Sequence, residues 1–127
     1  MSCIYCLYST EDGRPRYVGQ TTKPVGLRLA QHRREARRRR HHPLHRWIND
    51  VADRGFQVRA HALQINVPPG SLNLFERYWM GQFARLINCA SGAPGPRADT
   101  VVATAVTQAL RHALQAEGPT TLGIDNG

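Results

Sequence analysis

Apolar and polar positions alternate in short stretches near the start of the chain and recur at helical spacing further along. Residues 3–9 are apolar and rich in β-formers, and residues 16–19 resume the pattern after the turn sequence Glu11-Asp12-Gly13. This arrangement predicts a β-hairpin. Alternation over residues 56–67, ended by Pro68-Pro69-Gly70, predicts a third strand.

Four further stretches have the apolar spacing of an amphipathic helix. The first begins beside Pro24 and is rich in arginine in its outer half, whereas Ser71 can cap the third. The predicted helices cover residues 25–40, 44–55, 71–86 and 98–118.

The element order β-β-α-α-β-α-α predicts an α/β (α+β) fold, in which helices flank a small three-stranded antiparallel sheet. A chain of 127 residues, of which 41% are hydrophobic, can bury one compact core. We expect one domain over residues 1–97. An extra C-terminal helix at 98–118 is expected to pack on it or to form a dimer contact, before a flexible tail at 119–127.

The charge balance of the sequence indicates the class of partner that the protein binds. The formal net charge is +8, from 17 Lys and Arg against 9 Asp and Glu, and such an excess attracts polyanions, of which nucleic acid is the commonest. The sequence has no run of eighteen apolar residues and no signal-like start. We therefore expect a cytoplasmic, nucleoid-associated protein that binds DNA and does not bind a membrane.

Cysteine usage gives no support for a disulfide framework or a zinc knuckle, because Cys3, Cys6 and Cys89 are odd in number and lack a second close pair. Residues three apart on a strand face opposite sides, which separates the first two thiols. A reducing compartment is expected.

Five separated places along the chain carry residues suited to phosphodiester chemistry. In order, they are Cys3-Ile4-Tyr5, Tyr17-Val18-Gly19-Gln20-Thr21, Arg28 with His32, Glu76, and Asn88. These ordered motifs resemble those of the GIY-YIG nucleases, and the resemblance covers residues 3–95. Cys3 stands where the family usually has glycine, and Val18 where it often has isoleucine.

The resemblance implies a metal-dependent endonuclease that hydrolyses DNA phosphodiester bonds and leaves 5′-phosphate and 3′-hydroxyl ends. Tyr5 is the expected general base, because adjacent cations should favour its phenolate, and Tyr17 would orient the water or share that role. Arg28 is expected to stabilise charge on the phosphate. Glu76 is expected to hold one Mg²⁺ or Mn²⁺ ion.

Two further residues have less defined roles. His32 lies one helical turn after Arg28 on the same face and is expected to hydrogen-bond a tyrosine or a phosphate. Asn88 follows the Glu76 helix, where the resemblance implies a role in positioning loops or the metal's surroundings.

A dense arginine run follows Arg28 along the first predicted helix. We predict that it contacts DNA phosphates without reading the base sequence. His41, His42 and His45 lie behind this run, but no nearby carboxylate or cysteine is expected to complete a metal site with them. The predicted phosphate contacts are Arg33, Arg34, Arg37, Arg38 and Arg40.

Two alternatives keep the same fold. One is a catalytically silent, basic nucleic-acid-binding domain, and the other is a structure-specific repair or recombination nuclease that acts on branched DNA. The sequence contains no second DNA-reading motif. Sequence specificity would therefore come from a homodimer or from a partner protein.

Overall fold

The computed structural model describes residues 2–89 and 95–125, with side chains described for residues 2–88 and 95–117. The element order is the predicted β-β-α-α-β-α-α, which confirms the α+β class. The strands are β1 (Cys3–Ser9), β2 (Pro15–Thr21) and β3 (Val58–Gln64); the helices are α1 (Val25–Arg38), α2 (Pro43–Asp53), α3 (Leu72–Met80) and α4 (Val101–Asp125).

The sheet has three antiparallel strands in the order β2-β1-β3, so β1 is central and β2 is an edge strand. Every residue of β1 is buried, which its apolar sequence favours. Tyr5 on β1 lies opposite Gly19 on β2 and Ala62 on β3. This register brings the two predicted tyrosine motifs side by side.

Side chains alternate between the two faces of β1 and so serve two cores. Tyr5 and Leu7 pack with residues of α1 and α2, such as Ala36 and Trp47. Ile4, Cys6 and Tyr8 pack on the opposite face, in a core that includes Leu72, Phe83, Ala103 and Leu110. The sheet is therefore covered by helices on both sides, and α4 contributes buried residues to the second core.

The third helix ends at Met80, whereas the predicted helix continued to about Leu86. Gly81 caps it, and the following turns include Arg85 at a positive φ of 64°. Phe83 and Leu86 are nevertheless buried, so their spacing reflects core packing from turns and not a continuous helix. The predicted Ser71 cap is also wrong, since its side chain makes no capping hydrogen bond.

The last helix extends to Asp125, past its predicted end near Gly118. Gly118 and Pro119 each disfavour a helix without always ending it, so the predicted end was too early. The predicted tail is therefore helical as far as Asp125, and residues 126–127 lie outside the described part. The first helix ends at Arg38, just before its predicted end near Arg40.

No helix in the described ranges is both long enough and apolar enough to cross a membrane.

Candidate active site at the edge of the sheet

Three of the predicted site residues form one aromatic cluster. Tyr5 comes from β1, Tyr17 from β2 and His32 from α1. The Tyr5 hydroxyl and His32 Nε2 share a hydrogen bond of 2.8 Å. The ring centroids are 6.4 Å apart for the two tyrosines and 5.5 Å apart for Tyr17 and His32. Residues that are distant in sequence thus meet on the face of the sheet that α1 covers.

Gly19 makes the room that this cluster needs. A Cβ atom added to it would lie 2.7 Å from Tyr5 Oη and 2.8 Å from Tyr5 Cζ, closer than real Cβ atoms approach a neighbour. The ring of Tyr5 therefore passes over the bare backbone of its partner residue on β2. The glycine of the second tyrosine motif has a steric role that the sequence reasoning did not identify.

The surroundings of Tyr5 differ from those expected. Its side chain is only 1% exposed. Burial raises the pKa of Tyr5 most, Tyr17 adds to that rise, Arg28 lowers the pKa, and Glu76 raises it again. Arg28 favours the phenolate, as expected, but its attraction does not offset the desolvation of the charged form, so the pKa of Tyr5 is raised overall.

Tyr17 lies in a similar but less enclosed environment. Burial is the largest cause of its raised pKa, which Arg28 lowers and Glu76 raises. Its side chain is half-buried, whereas that of Tyr5 is inaccessible. Of the two hydroxyl groups, that of Tyr17 is therefore the more accessible to solvent.

His32 is a neutral residue at pH 7. It is 2% exposed, and burial, followed by the charge of Arg28, lowers the pKa of His32 to about 4. While Nε2 is bonded to Tyr5, the buried Nδ1 has no hydrogen-bond partner among the described residues. A buried polar atom without a partner requires an explanation.

Arg28 on α1 and Glu76 on α3 both act on the tyrosine pair, as their opposite effects on the pKa of each tyrosine show. Glu76 is half-buried. Burial raises the pKa of Glu76, and hydrogen bonding with Gln20 partly opposes that shift. No ion pair in the described ranges involves Glu76. A partly desolvated carboxylate that lacks a cationic partner is a suitable ligand for a hard cation.

Asn88 is joined to the strand that carries Tyr17. Its Nδ2 donates a 2.7 Å hydrogen bond to the carbonyl of Val18, from a 3₁₀ turn at Ile87–Cys89. Its buried Oδ1 has no partner among the described residues. Asn88 therefore fixes this turn against β2, close to the cluster.

The predicted phosphate-contacting arginines lie on two neighbouring sides of α1 and beyond its end. Arg33 donates through Nη2 to the carbonyl of Val58 at 2.5 Å, and together with Arg37 it lines a groove against α2 and the start of β3. Arg34 and Arg38 are exposed on another side of α1, and Arg40 lies beyond the helix end. The 3.6-residue repeat of a helix explains the division, because positions i and i+4 share a side and adjacent positions do not.

A second cluster, missed in the sequence, lies behind the tyrosines. One ligand atom from each of His32, Glu35 and His45 lies within 4.8 Å of the others. The expectation that no carboxylate lies near these histidines is wrong, because α2 packs His45 onto the face of α1 that carries Glu35. The signal was present only in part, as His32 and Glu35 at positions i and i+3 of one helix.

No family model, no curated protein and no solved structure matches this chain. Its function is therefore inferred from the geometry of the site and from the order of its motifs.

Proposed function

We propose that this chain is a phosphodiester hydrolase, an endonuclease of the GIY-YIG type that cuts DNA. The observation that carries the proposal is the contact of Tyr5, Tyr17 and His32 on one face of the sheet, with Arg28 and Glu76 within electrostatic reach of both tyrosines. These residues come from four elements and are those that the ordered motifs single out.

The surface beside the cluster suits a phosphate backbone. A cleft of about 310 Å³ is lined by Lys23 and Arg28, with Gln20, Thr21, Thr22, Gln31 and Leu72. The net charge of +8 adds a long-range attraction for DNA. DNA bound in this cleft would present its phosphate to Arg28.

Arg28 is the group that we assign to the developing charge of the transition state. A guanidinium has several donors in a fixed plane and can bond two oxygens of one phosphate. Arg28 is half-buried, so its interaction with an anion is stronger than that of a fully solvated arginine.

Tyr5 and Tyr17 are assigned to the attacking water. Tyr17, as the more accessible hydroxyl, would bind and orient the water, and Tyr5, in its phenolate form, would accept the water proton as the general base. His32 holds the Tyr5 hydroxyl by the 2.8 Å hydrogen bond and so fixes the direction of its lone pairs. Gly19 allows the Tyr5 ring to lie close to β2.

Glu76 is assigned to a divalent cation, for which its half-buried carboxylate without an ion pair fits. Mg²⁺ commonly uses one or two protein carboxylates and completes its shell with water and substrate phosphate. A bound cation would supply positive charge to the scissile phosphate and offset the Glu76 charge that raises the pKa of Tyr5.

A ligase-coupled nicking assay tests the proposal. The purified chain is incubated with supercoiled plasmid and with a branched duplex, in Mg²⁺ and in EDTA, and the nicked plasmid is then treated with DNA ligase. Hydrolysis as proposed gives Mg²⁺-dependent nicks that ligase reseals, because it requires 5′-phosphate and 3′-hydroxyl ends. DNA binding without any cutting of either substrate would favour the silent binding domain instead.

A further inference from the structure

The cluster of His32, Glu35 and His45 has the composition of a metal site and is separate from Glu76. The two histidines are 2% and 3% exposed, and the glutamate between them is half-buried. His45 Nε2 lies 3.9 Å from the nearer oxygen of Glu35. The three ligand atoms come from α1 and α2, whose packing against each other holds them in place.

Each histidine has one ring nitrogen engaged and the other available. His45 Nδ1 lies 3.0 Å from the backbone carbonyl of Arg39, an acceptor, so Nδ1 carries the proton and donates. The lone pair of His45 is then on Nε2, the atom nearest Glu35. A metal-binding histidine typically donates its other N–H to a carbonyl or carboxylate in this way.

His32 supplies an independent observation. Its Nε2 is bonded to Tyr5, and its Nδ1 is buried without a hydrogen-bond partner among the described residues. Nδ1 is the ring atom left to turn to Glu35 and His45 in the cluster. A ligand for this nitrogen would remove the cost of leaving it unsatisfied.

We propose that His32 Nδ1, the Glu35 carboxylate and His45 Nε2 bind one zinc ion. Two imidazoles and one carboxylate are a common zinc donor set, and three protein ligands leave a fourth position for water. Bonds of about 2.0–2.1 Å in a tetrahedral site place ligand atoms roughly 3.4 Å apart. The ligand atoms lie within 4.8 Å of one another without an ion, so binding would draw them closer together.

Zinc at this site would determine the proton position between His32 and Tyr5. With Nδ1 bound to the ion, the ring proton is on Nε2, which then donates to the Tyr5 oxygen. A donated hydrogen bond favours the phenolate over the phenol. This effect on cleavage rests on the proposed function, whereas metal binding itself does not.

The test measures metal binding directly. The chain is stripped with EDTA, dialysed, and titrated with Zn²⁺ by calorimetry and with Co²⁺ by visible absorption, since Co²⁺ reports tetrahedral geometry. We expect one ion per chain. Glu35→Gln, which removes the anionic ligand, and His45→Asn, which keeps a donor near the Nδ1 position, should each weaken binding by about 100-fold or more.

Three control variants make the outcome decisive. Glu76→Gln and His112→Asn, the latter an exposed histidine of α4, should bind Zn²⁺ as the parent does. Zn²⁺ binding retained in Glu76→Gln would show that this site is distinct from the proposed catalytic one, even if no DNA is cut. Equal Zn²⁺ binding by the parent and Glu35→Gln would overturn the proposal. Loss of Zn²⁺ binding only in His42→Asn would also overturn it, because it would assign the ion to the exposed histidines.

A measurement of thermal stability distinguishes a lost metal site from a variant that fails to fold. Ligand binding to the folded state raises its melting temperature. Zn²⁺ should raise the Tm of the parent and of His112→Asn but not that of folded Glu35→Gln, as judged by circular dichroism. A Tm of the parent that does not respond to Zn²⁺ would contradict the site.

Discussion

The hydroxyl of Tyr5 lies in a buried environment in which several neighbours act on its proton. Burial and the nearby Tyr17 and Glu76 favour the phenol, Arg28 favours the phenolate, and His32 holds the oxygen at 2.8 Å. The motif spacing was sufficient to select these residues as site candidates. It could not give the balance between them, because burial of Tyr5 depends on how α1 packs across the sheet.

Tyr5→Phe should slow DNA cleavage by about 10²–10⁴-fold, the usual contribution of a general base. The fold should lose only about 1 kcal/mol, because one buried hydrogen bond is removed. Tyr8→Phe is the matched control, since Tyr8 is buried on the opposite face of the same strand. Single-turnover rates measure the effect, and a parental rate in Tyr5→Phe would exclude Tyr5 as the base.

At the scale of the elements, alternation along the strands and apolar spacing in the helices predicted the order and type of the seven strands and α-helices in the described ranges. The sheet order and the position of β2 at its edge follow from tertiary pairing. The end of α3 was mistaken because Phe83 and Leu86 keep helical spacing while lying in turns. A buried pattern reports the side of the chain that faces the core and does not report the backbone conformation by itself.

The contact between β1 and β2 gives a steric prediction. Gly19→Ala should destabilise the fold by about 1–3 kcal/mol and displace the Tyr5 ring, because its Cβ would overlap Tyr5 Oη. Gly26→Ala is the control, since nothing lies within 4 Å of a Cβ at that position of α1; it should be neutral or stabilising by up to about 1 kcal/mol. Urea unfolding checks both variants, and equal stabilities would contradict the contact.

The sides of α1 give a second prediction at this scale. Arg34→Gln/Arg38→Gln should weaken DNA binding and reduce the slope of log K against log salt by about 2, because each lost phosphate contact removes about 0.9. Arg33→Gln/Arg37→Gln carries the same charge change but alters the side that faces β3. Fluorescence anisotropy over a salt series would distinguish the two double variants. Equal salt slopes would show that the DNA contacts are not confined to one side of α1.

At the scale of the whole molecule, helices cover both faces of the sheet. Residues of α1 and α3 line a cleft together with the end of β2. Composition predicted a basic chain with one compact core, whereas the sheet separates two hydrophobic clusters. The motifs predicted that Tyr5, Tyr17 and His32 would lie close together. The cluster of His32, Glu35 and His45 could not be predicted, because it depends on α2 folding back along α1. Long-range packing of this kind leaves little trace in residue spacing.

The most direct test of the catalytic site is the Mg²⁺-dependent nicking rate of Glu76→Gln, with Glu11→Gln as a matched control. Glu11 is ion-paired with Arg54 and is not among the site residues. We expect Glu76→Gln to lose at least about 10²-fold in rate while it binds DNA as the parent does, and Glu11→Gln to cut normally. Cleavage by Glu76→Gln at the parental rate would contradict the assignment of the catalytic centre to this site.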